Sequence, residues 1–253
     1  MHRLKAVALA LSVALPTAPA LALPAAVSQA VKSPTRPAEA VALDASRRPV
    51  EVLRFLNLER NDRVLDLFAG SGYYSEIMAD AVGENGSVVA WQPENFFDDK
   101  EKASWDALRA RAPRVRLMVS PVNDMRFERA SFDFVLMHLT YHDFYWESAQ
   151  YNYPRVNPDA VLREVYAAMK PGAVVGVVDH VADPGGDTRA KGDRLHRIDP
   201  SVIRADFERA GFRFVRESDM LRNTSDDHGR EVFDPAVRGR TDRVVYLFRK
   251  QGG

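Results

Sequence analysis

Apolar positions along this chain fall into short dense runs separated by longer stretches of helical period. RVLDLF at Arg63–Phe68, SVVAW at Ser87–Trp91, RVRLMV at Arg114–Val119, FDFVLM at Phe132–Met137 and AVVGVV at Ala173–Val178 are the dense runs. Such runs predict strands covered on both faces, since a half-exposed strand would alternate apolar and polar residues. Between them, Tyr73–Val82, Lys100–Ala112 and Pro158–Met169 have helical length and pattern, and Pro171-Gly172 stops the last just before its strand. Upstream, Val50, Leu53, Phe55 and Leu56 recur at helical spacing within Pro49–Leu58, as an amphipathic helix requires. Downstream, Pro200–Ala210 reads as a helix ended by Gly211, and Phe212–Arg216 and Arg243–Phe248 read as two strands able to form an antiparallel edge hairpin. Alternating strands and helices predict an α/β fold with a doubly wound, mostly parallel sheet.

The first residues depart from this pattern. Arg3 and Lys5 precede an uncharged Ala-, Leu- and Val-rich run, Ala6 to Val31, which is the layout of a signal peptide. Small residues offer cleavage after Ala20 or Ala22, and Pro16, Pro19 and Pro24 keep any helix there short of a membrane span. The expected division is a signal peptide over 1–22, a flexible Ala-, Pro- and Ser-rich lead-in over 23–46 and one catalytic-size domain over 47–253. A periplasmic or secreted location follows, without stable membrane insertion once the leader is removed. The chain has no cysteine, so it needs no disulfide and carries no thiol for lipid attachment. Lys and Arg number 35, as do Asp and Glu, and no long block of one sign occurs, which argues against a nucleic-acid track. Nothing in the sequence sets an oligomeric state.

The most informative run is Asp66-Leu67-Phe68-Ala69-Gly70-Ser71-Gly72, which follows a strand and opens a helix. Glycines there let the backbone turn tightly and approach a ligand at the helix N-terminus. With this run, Ser87–Trp91, Phe132–Leu136 and the Leu162-Arg163-Glu164 to Met169-Lys170-Pro171-Gly172 helix and turn in order, the chain resembles class I S-adenosylmethionine-dependent methyltransferases from about Arg47 to Lys250. The resemblance implies a Rossmann-like seven-stranded sheet with an antiparallel C-terminal edge hairpin, S-adenosylmethionine as cofactor and methyl transfer to a small molecule. It also implies that Asp66 lies near the amino-acid part of the cofactor and that Gly70 and Gly72 leave room for its sugar. Asp124, in Asn123-Asp124-Met125, aligns with the segment that contacts the adenine amino group. One position departs from the family: the acid expected at the end of the second strand aligns with Gln92, and Glu94 follows two residues on. Either Gln92 bonds the ribose as a neutral substitute, or Glu94 supplies the carboxylate, or the cofactor site is altered.

Met137 to Trp146 crowds titratable and aromatic side chains at the carboxyl edge of the fourth strand, where such sheets bind ligands. His138 is grouped with the cofactor residues. His142 is a candidate base with Asp143 orienting its imidazole, and His180, in Asp179-His180 at the end of the fifth strand, is the alternative. His196, beyond the Gly- and Asp-rich loop Asp183–Asp193, is a candidate substrate contact. Asp143 with Asp179, or His142 with His180 and His228, could supply part of a metal set, but ligand spacing is not evident and no metal site is assigned. The polar stretch Asn223–Thr241 reads as a solvated loop, with a salt-bridged lid or an anion-binding surface as its alternatives. The competing function is an exported adenosyl-cofactor-binding protein without methyltransferase turnover.

Overall fold

The apolar runs become β1 (Arg63–Leu67), β2 (Ser87–Pro93), β3 (Val115–Ser120), β4 (Phe132–His138) and β5 (Met169–His180), joined by β6 (Phe212–Ser218) and β7 (Arg243–Lys250). The computed structural model describes residues 22–252 and arranges these strands in one sheet of order β3-β2-β1-β4-β5-β7-β6. β1 to β5 are parallel, while β7 runs antiparallel to β5 and to the edge strand β6. This is the mostly parallel seven-stranded sheet that the alternation and the resemblance predict.

Nine helices occur among the described residues. α1 (Leu23–Val31), α2 (Ala38–Val41), α3 (Asp44–Arg47) and α4 (Pro49–Phe55) precede the sheet; α5 (Tyr73–Val82), α6 (Asp99–Arg111), α7 (Pro158–Ala168), α8 (Thr188–Leu195) and α9 (Pro200–Arg209) lie between strands. Successive strand residues point to opposite faces. Leu65, Leu67, Val135 and Met137 therefore pack with Leu162 and Val165 of α7 and Phe207 of α9, whereas Val64, Phe134 and Leu136 pack with Leu53 of α4, Ile77 of α5 and Trp105 of α6. Each such fully buried Leu, Val, Ile or Phe contributes about 1.5–3 kcal/mol, so packing on both faces fixes the sheet more than helix propensity does. Asp98, Asn157, Asp187 and Asp199 cap α6, α7, α8 and α9 by accepting N–H groups of their first turns.

Three local expectations are corrected. Residues 23–46 are not a flexible lead-in: α1 buries Ala26, Val27 and Ala30 and packs against α4 and α5. Its contact face is made of small residues that give a weak hydrophobic period. Arg36 and Asp44 then form a two-pronged ion pair at 2.8 and 2.7 Å, and Asp44 accepts the Tyr73 hydroxyl at 2.6 Å. Pro171-Gly172 does not precede β5 but lies within it as an irregularity, Met169 facing Phe132 and Val174 facing Phe134. Asp183–Asp193 is not all loop, because the Asp187 cap starts α8 inside it. The expected signal peptide, apart from Ala22, lies outside the described residues. Among the described residues no helix is long and apolar enough to cross a membrane.

Candidate active site

A cavity of about 620 Å³ opens at the carboxyl ends of β1, β4 and β5, where the strand order reverses. One end is built by the turn after β1. Asp66 is buried and accepts the Ser75 hydroxyl at 2.6 Å; burial pushes its carboxyl up to about 6, against the opposing pull of Ser75 and Arg47. Gly70 has φ +57°, and a Cβ there would meet nothing within 4 Å, so the backbone itself forms the wall. Gly72 works differently. A Cβ on it would stand 2.4 Å from Leu108 Cδ1 and 2.9 Å from Trp105 Cη2, so this glycine lets the loop pack on α6 rather than making room for a sugar.

The expected ribose and adenine contacts are placed elsewhere. Gln92 is buried and its Oε1 accepts the Gly70 N–H at 2.9 Å, tying the glycine loop to β2 rather than facing the cavity. Glu94 is exposed at the start of a short 3-10 turn and does not line the cavity; Phe96 of that turn does. Asp124 is exposed and paired with Arg126 at 3.3 Å, also away from the cavity. Phe68, held at φ +62°, packs its ring with Trp91, Phe96, Phe144 and Tyr153 on this side of the loop. A non-glycine residue in the left-handed region persists only where its surroundings enforce it, and here the aromatic cluster does so.

Arg47 at the end of α3 was not singled out by the sequence, yet it lines the cavity, with its guanidinium 4.4 Å from the Tyr73 ring centroid. Tyr73 is itself fixed by the Arg36–Asp44 pair, whose carboxylate accepts its hydroxyl. Burial pulls the Arg47 pKa down, and nearby Tyr74, Tyr73 and Asp66 only partly offset this. His138 at the end of β4 is driven well below the ordinary imidazole pKa, first by burial and then by Arg47 and Arg243, and is therefore neutral. Its Nε2 and the Thr140 hydroxyl are buried without a partner among the described residues, and both residues line the cavity.

The other end carries the histidines. His142, on the 3-10 turn Tyr141–Tyr145, is held by Asp179: ring Nδ1 is 2.7 Å from Oδ1, and the backbone N–H donates to Oδ2 at 2.8 Å. Its Nε2 lies 3.2 Å from Asp143 Oδ1, so the expected convergence with Asp143 occurs, but both ring nitrogens are engaged. Burial pulls the His142 pKa down, yet Asp179 and Asp143 outweigh it and push it up to about 10. Burial raises Asp143, and His142 and His196 pull it to about 2. His180 behaves oppositely: burial, then the neighbouring His142 and Arg243, hold its pKa well below the ordinary value. Its Nδ1 is 2.7 Å from the Thr241 hydroxyl. His196 reaches this end because the chain beside β5 runs parallel to it, Ile198 N–H donating to the His180 carbonyl at 2.9 Å. His228 pairs with Asp183 and Asp242 outside the cavity.

The roof comes from the stretch expected to be solvated. Glu231, Val232 and Phe233 line the cavity. Asp226 anchors this segment through a fully buried pair with Arg197 at 2.8 and 3.0 Å.

A family profile described as a methyltransferase domain matches residues 58–208. No curated protein sequence matches the chain. Among solved structures, a SAM dependent methyltransferase from Aquifex aeolicus superposes with a TM-score of 0.58 at 20% identity, covering 89% of this chain and 97% of that one. An S-adenosylmethionine dependent methyltransferase from Mesorhizobium loti gives 0.56 at 16% identity, covering 82% and 100%. The [4+2]-cyclase SpnF gives 0.57 at 19% identity, covering 83% and 82%, so the fold alone does not set the reaction. The chain belongs to the methyltransferase domain family and is a class I S-adenosylmethionine-dependent methyltransferase. The chemistry of the lining suits a zwitterionic amino-acid group, since Asp66 and Arg47 offer opposite charges and Gly70 beside them exposes its backbone without a Cβ.

Proposed function

We propose that the chain methylates a small molecule held between the Asp66–Gly70 turn and the His142–His180 wall. The observation that carries this reading is one cavity joining an Asp66/Arg47 charge pair to a wall of imidazoles and aromatic rings, including Trp146 and Tyr151. When bound, S-adenosylmethionine supplies an electrophilic methyl group on a sulfonium. Asp66, Arg47 and the Gly70 backbone would hold its amino-acid end, and the cofactor would offer His138 Nε2 a hydrogen-bond partner. Phe233 and Val232 cover the site and limit water, so positioning and exclusion of solvent contribute most of the rate.

His180, rather than His142, takes the proton of a hydroxyl or amine acceptor. It is neutral and its Nδ1 is occupied by Thr241, which directs Nε2 to the cavity. In the metal-free protein His142 stays protonated between Asp179 and Asp143 and acts as a positioning residue. Incubation of the full chain with methyl-labelled S-adenosylmethionine and a panel of phenols, alcohols, amines and carboxylic acids tests this. Acceptor-dependent release of S-adenosylhomocysteine, lost in His180→Ala with cofactor binding retained, is expected. Binding with no product on any acceptor would favour the reading without turnover.

The leader supports action in the periplasm or outside the cell. N-terminal sequencing of the exported protein should then read from Leu21 or Leu23, and cleavage before Leu23 would leave α1 whole.

A further inference from the structure

Three side chains at the histidine end converge in a way that methyl transfer does not require. One ligand atom from each of His142, Asp143 and His196 lies within 4.8 Å of the others. His142 Nε2 is 3.2 Å, and His196 Nδ1 3.7 Å, from Asp143 Oδ1. We infer that these residues form a binding site for one divalent first-row transition cation, for which Zn²⁺ is the fitting probe.

The donor chemistry selects the class. Two imidazole nitrogens and one carboxylate oxygen suit Zn²⁺ or Fe²⁺, whereas Mg²⁺ and Ca²⁺ prefer oxygen sets. Donors about 2.0–2.2 Å from a tetrahedral zinc stand roughly 3.3–3.6 Å apart, so the two separations from Asp143 need to change by a few tenths of an ångström, while the two imidazole nitrogens, no more than 4.8 Å apart, close by about 1 Å or a little more at most.

The surroundings are those of a built site. Asp179, fully buried, fixes His142 through Nδ1 and accepts the backbone N–H groups of His142 and His180 at 2.8 and 2.7 Å. A carboxylate on the far nitrogen sets the tautomer and aims Nε2, the arrangement found behind metal-bound histidines. His196 has φ +50° and its ring lies 5.4 Å from Trp146 and 5.2 Å from Phe233, so it is held in place rather than solvated. Among the described residues, Asp143 and Asp179 form ion pairs only with His142 and His196, never with Lys or Arg. When His142 gives up its proton to serve as a ligand, these two enclosed carboxylates have no Lys or Arg to balance them, and a divalent ion takes the place of that proton's charge. Three protein ligands leave a position open toward the cavity, where an oxygen or nitrogen donor of the acceptor would bind; this consequence rests on the proposed function, whereas cation binding does not.

The test uses untagged full-length protein freed of metal by chelation, titrated with Zn²⁺ by calorimetry and with Co²⁺ by visible absorption. S-adenosylhomocysteine binding and circular dichroism on the same samples report the intact fold. One equivalent of Zn²⁺ and Co²⁺ bands of four- or five-coordination are expected. His142→Ala and His196→Ala should each weaken Zn²⁺ at least 100-fold, Asp179→Asn about 10- to 100-fold as a supporting group, and His228→Ala not at all. Absence of stoichiometric binding in folded wild-type protein, or wild-type affinity in folded His196→Ala, would overturn the site. Zinc binding without S-adenosylhomocysteine binding would instead keep the site and sink the methyl-transfer reading.

Discussion

Asp179 grips His142 twice, accepting its backbone N–H on Oδ2 at 2.8 Å and facing its ring Nδ1 with Oδ1 at 2.7 Å. Asp179→Ala would leave those groups and the His180 N–H buried without an acceptor. In the metal-free protein it should cost about 3–5 kcal/mol, the range for removing one member of a buried charged pair. Asp179→Asn, which keeps the shape, should cost less. Denaturant titration checks both, and an Asp179→Asn variant as stable as wild type would argue that Asp179 acts by volume alone.

The two glycines of the turn should separate by phenotype. Gly70→Asn is tolerated at φ +57° and places its side chain in open cavity, so stability should change little while S-adenosylhomocysteine affinity falls at least tenfold. Gly72→Ala drives a methyl into Leu108 and Trp105 at a left-handed position, and should lower stability by about 1–3 kcal/mol. Thermal melts with calorimetric titration of both variants distinguish the roles.

Asp66 gives a signed pH dependence. Its folded pKa, about 6, stands above the ordinary 3.8, so its contribution favours the folded state at low pH and is lost as pH rises through 6. Two units correspond to roughly 3 kcal/mol. Asp66→Asn should therefore match wild type near pH 4, gain up to about 3 kcal/mol in stability near pH 8, and bind S-adenosylmethionine more weakly there. Stability curves at the two pH values provide the check, and a gain of equal size at both would exclude the ionisation argument.

Arg197 and Asp226 are both fully buried beneath the roof. Asp226→Ala strands the guanidinium with only the carbonyls of Val181 and Arg230 and should cost about 3–5 kcal/mol. The double change Arg197→Met, Asp226→Leu should recover only part of that loss, because the Asp242 N–H that Asp226 accepts and the two carbonyls stay unpaired. Denaturation midpoints of the single and double variants measure it.

Much of the fold was legible because strands covered on both faces are dense in apolar residues and the segments between them keep a helical period, whereas Pro171-Gly172, read as a stop before β5, lies inside that strand. α1 escaped because Ala26 and Ala30 bury little area each, and α8 because its sequence, TRAKGDRL, is polar and relies on the Asp187 cap. The motif Asp66–Gly72 located the cavity, but not the separate tasks of Gly70 and Gly72, which depend on what α6 places behind each. Gln92 looked like a ribose contact because alignment gives position along a strand, not the N–H that its side chain meets. His142 and Asp143 are neighbours that the sequence already pairs, whereas Arg47 and His196 reach the cavity from distant segments, and no local spacing announces that they do.

The central claim is that the cavity beside Asp66 and Arg47 receives S-adenosylmethionine. Calorimetric titration of full-length protein with S-adenosylhomocysteine tests it most directly, alongside Arg47→Ala and Gly70→Asn. One equivalent bound by wild type and at least tenfold weaker binding by each variant is the predicted result. No binding by folded wild-type protein, or binding unchanged in both variants, would contradict it.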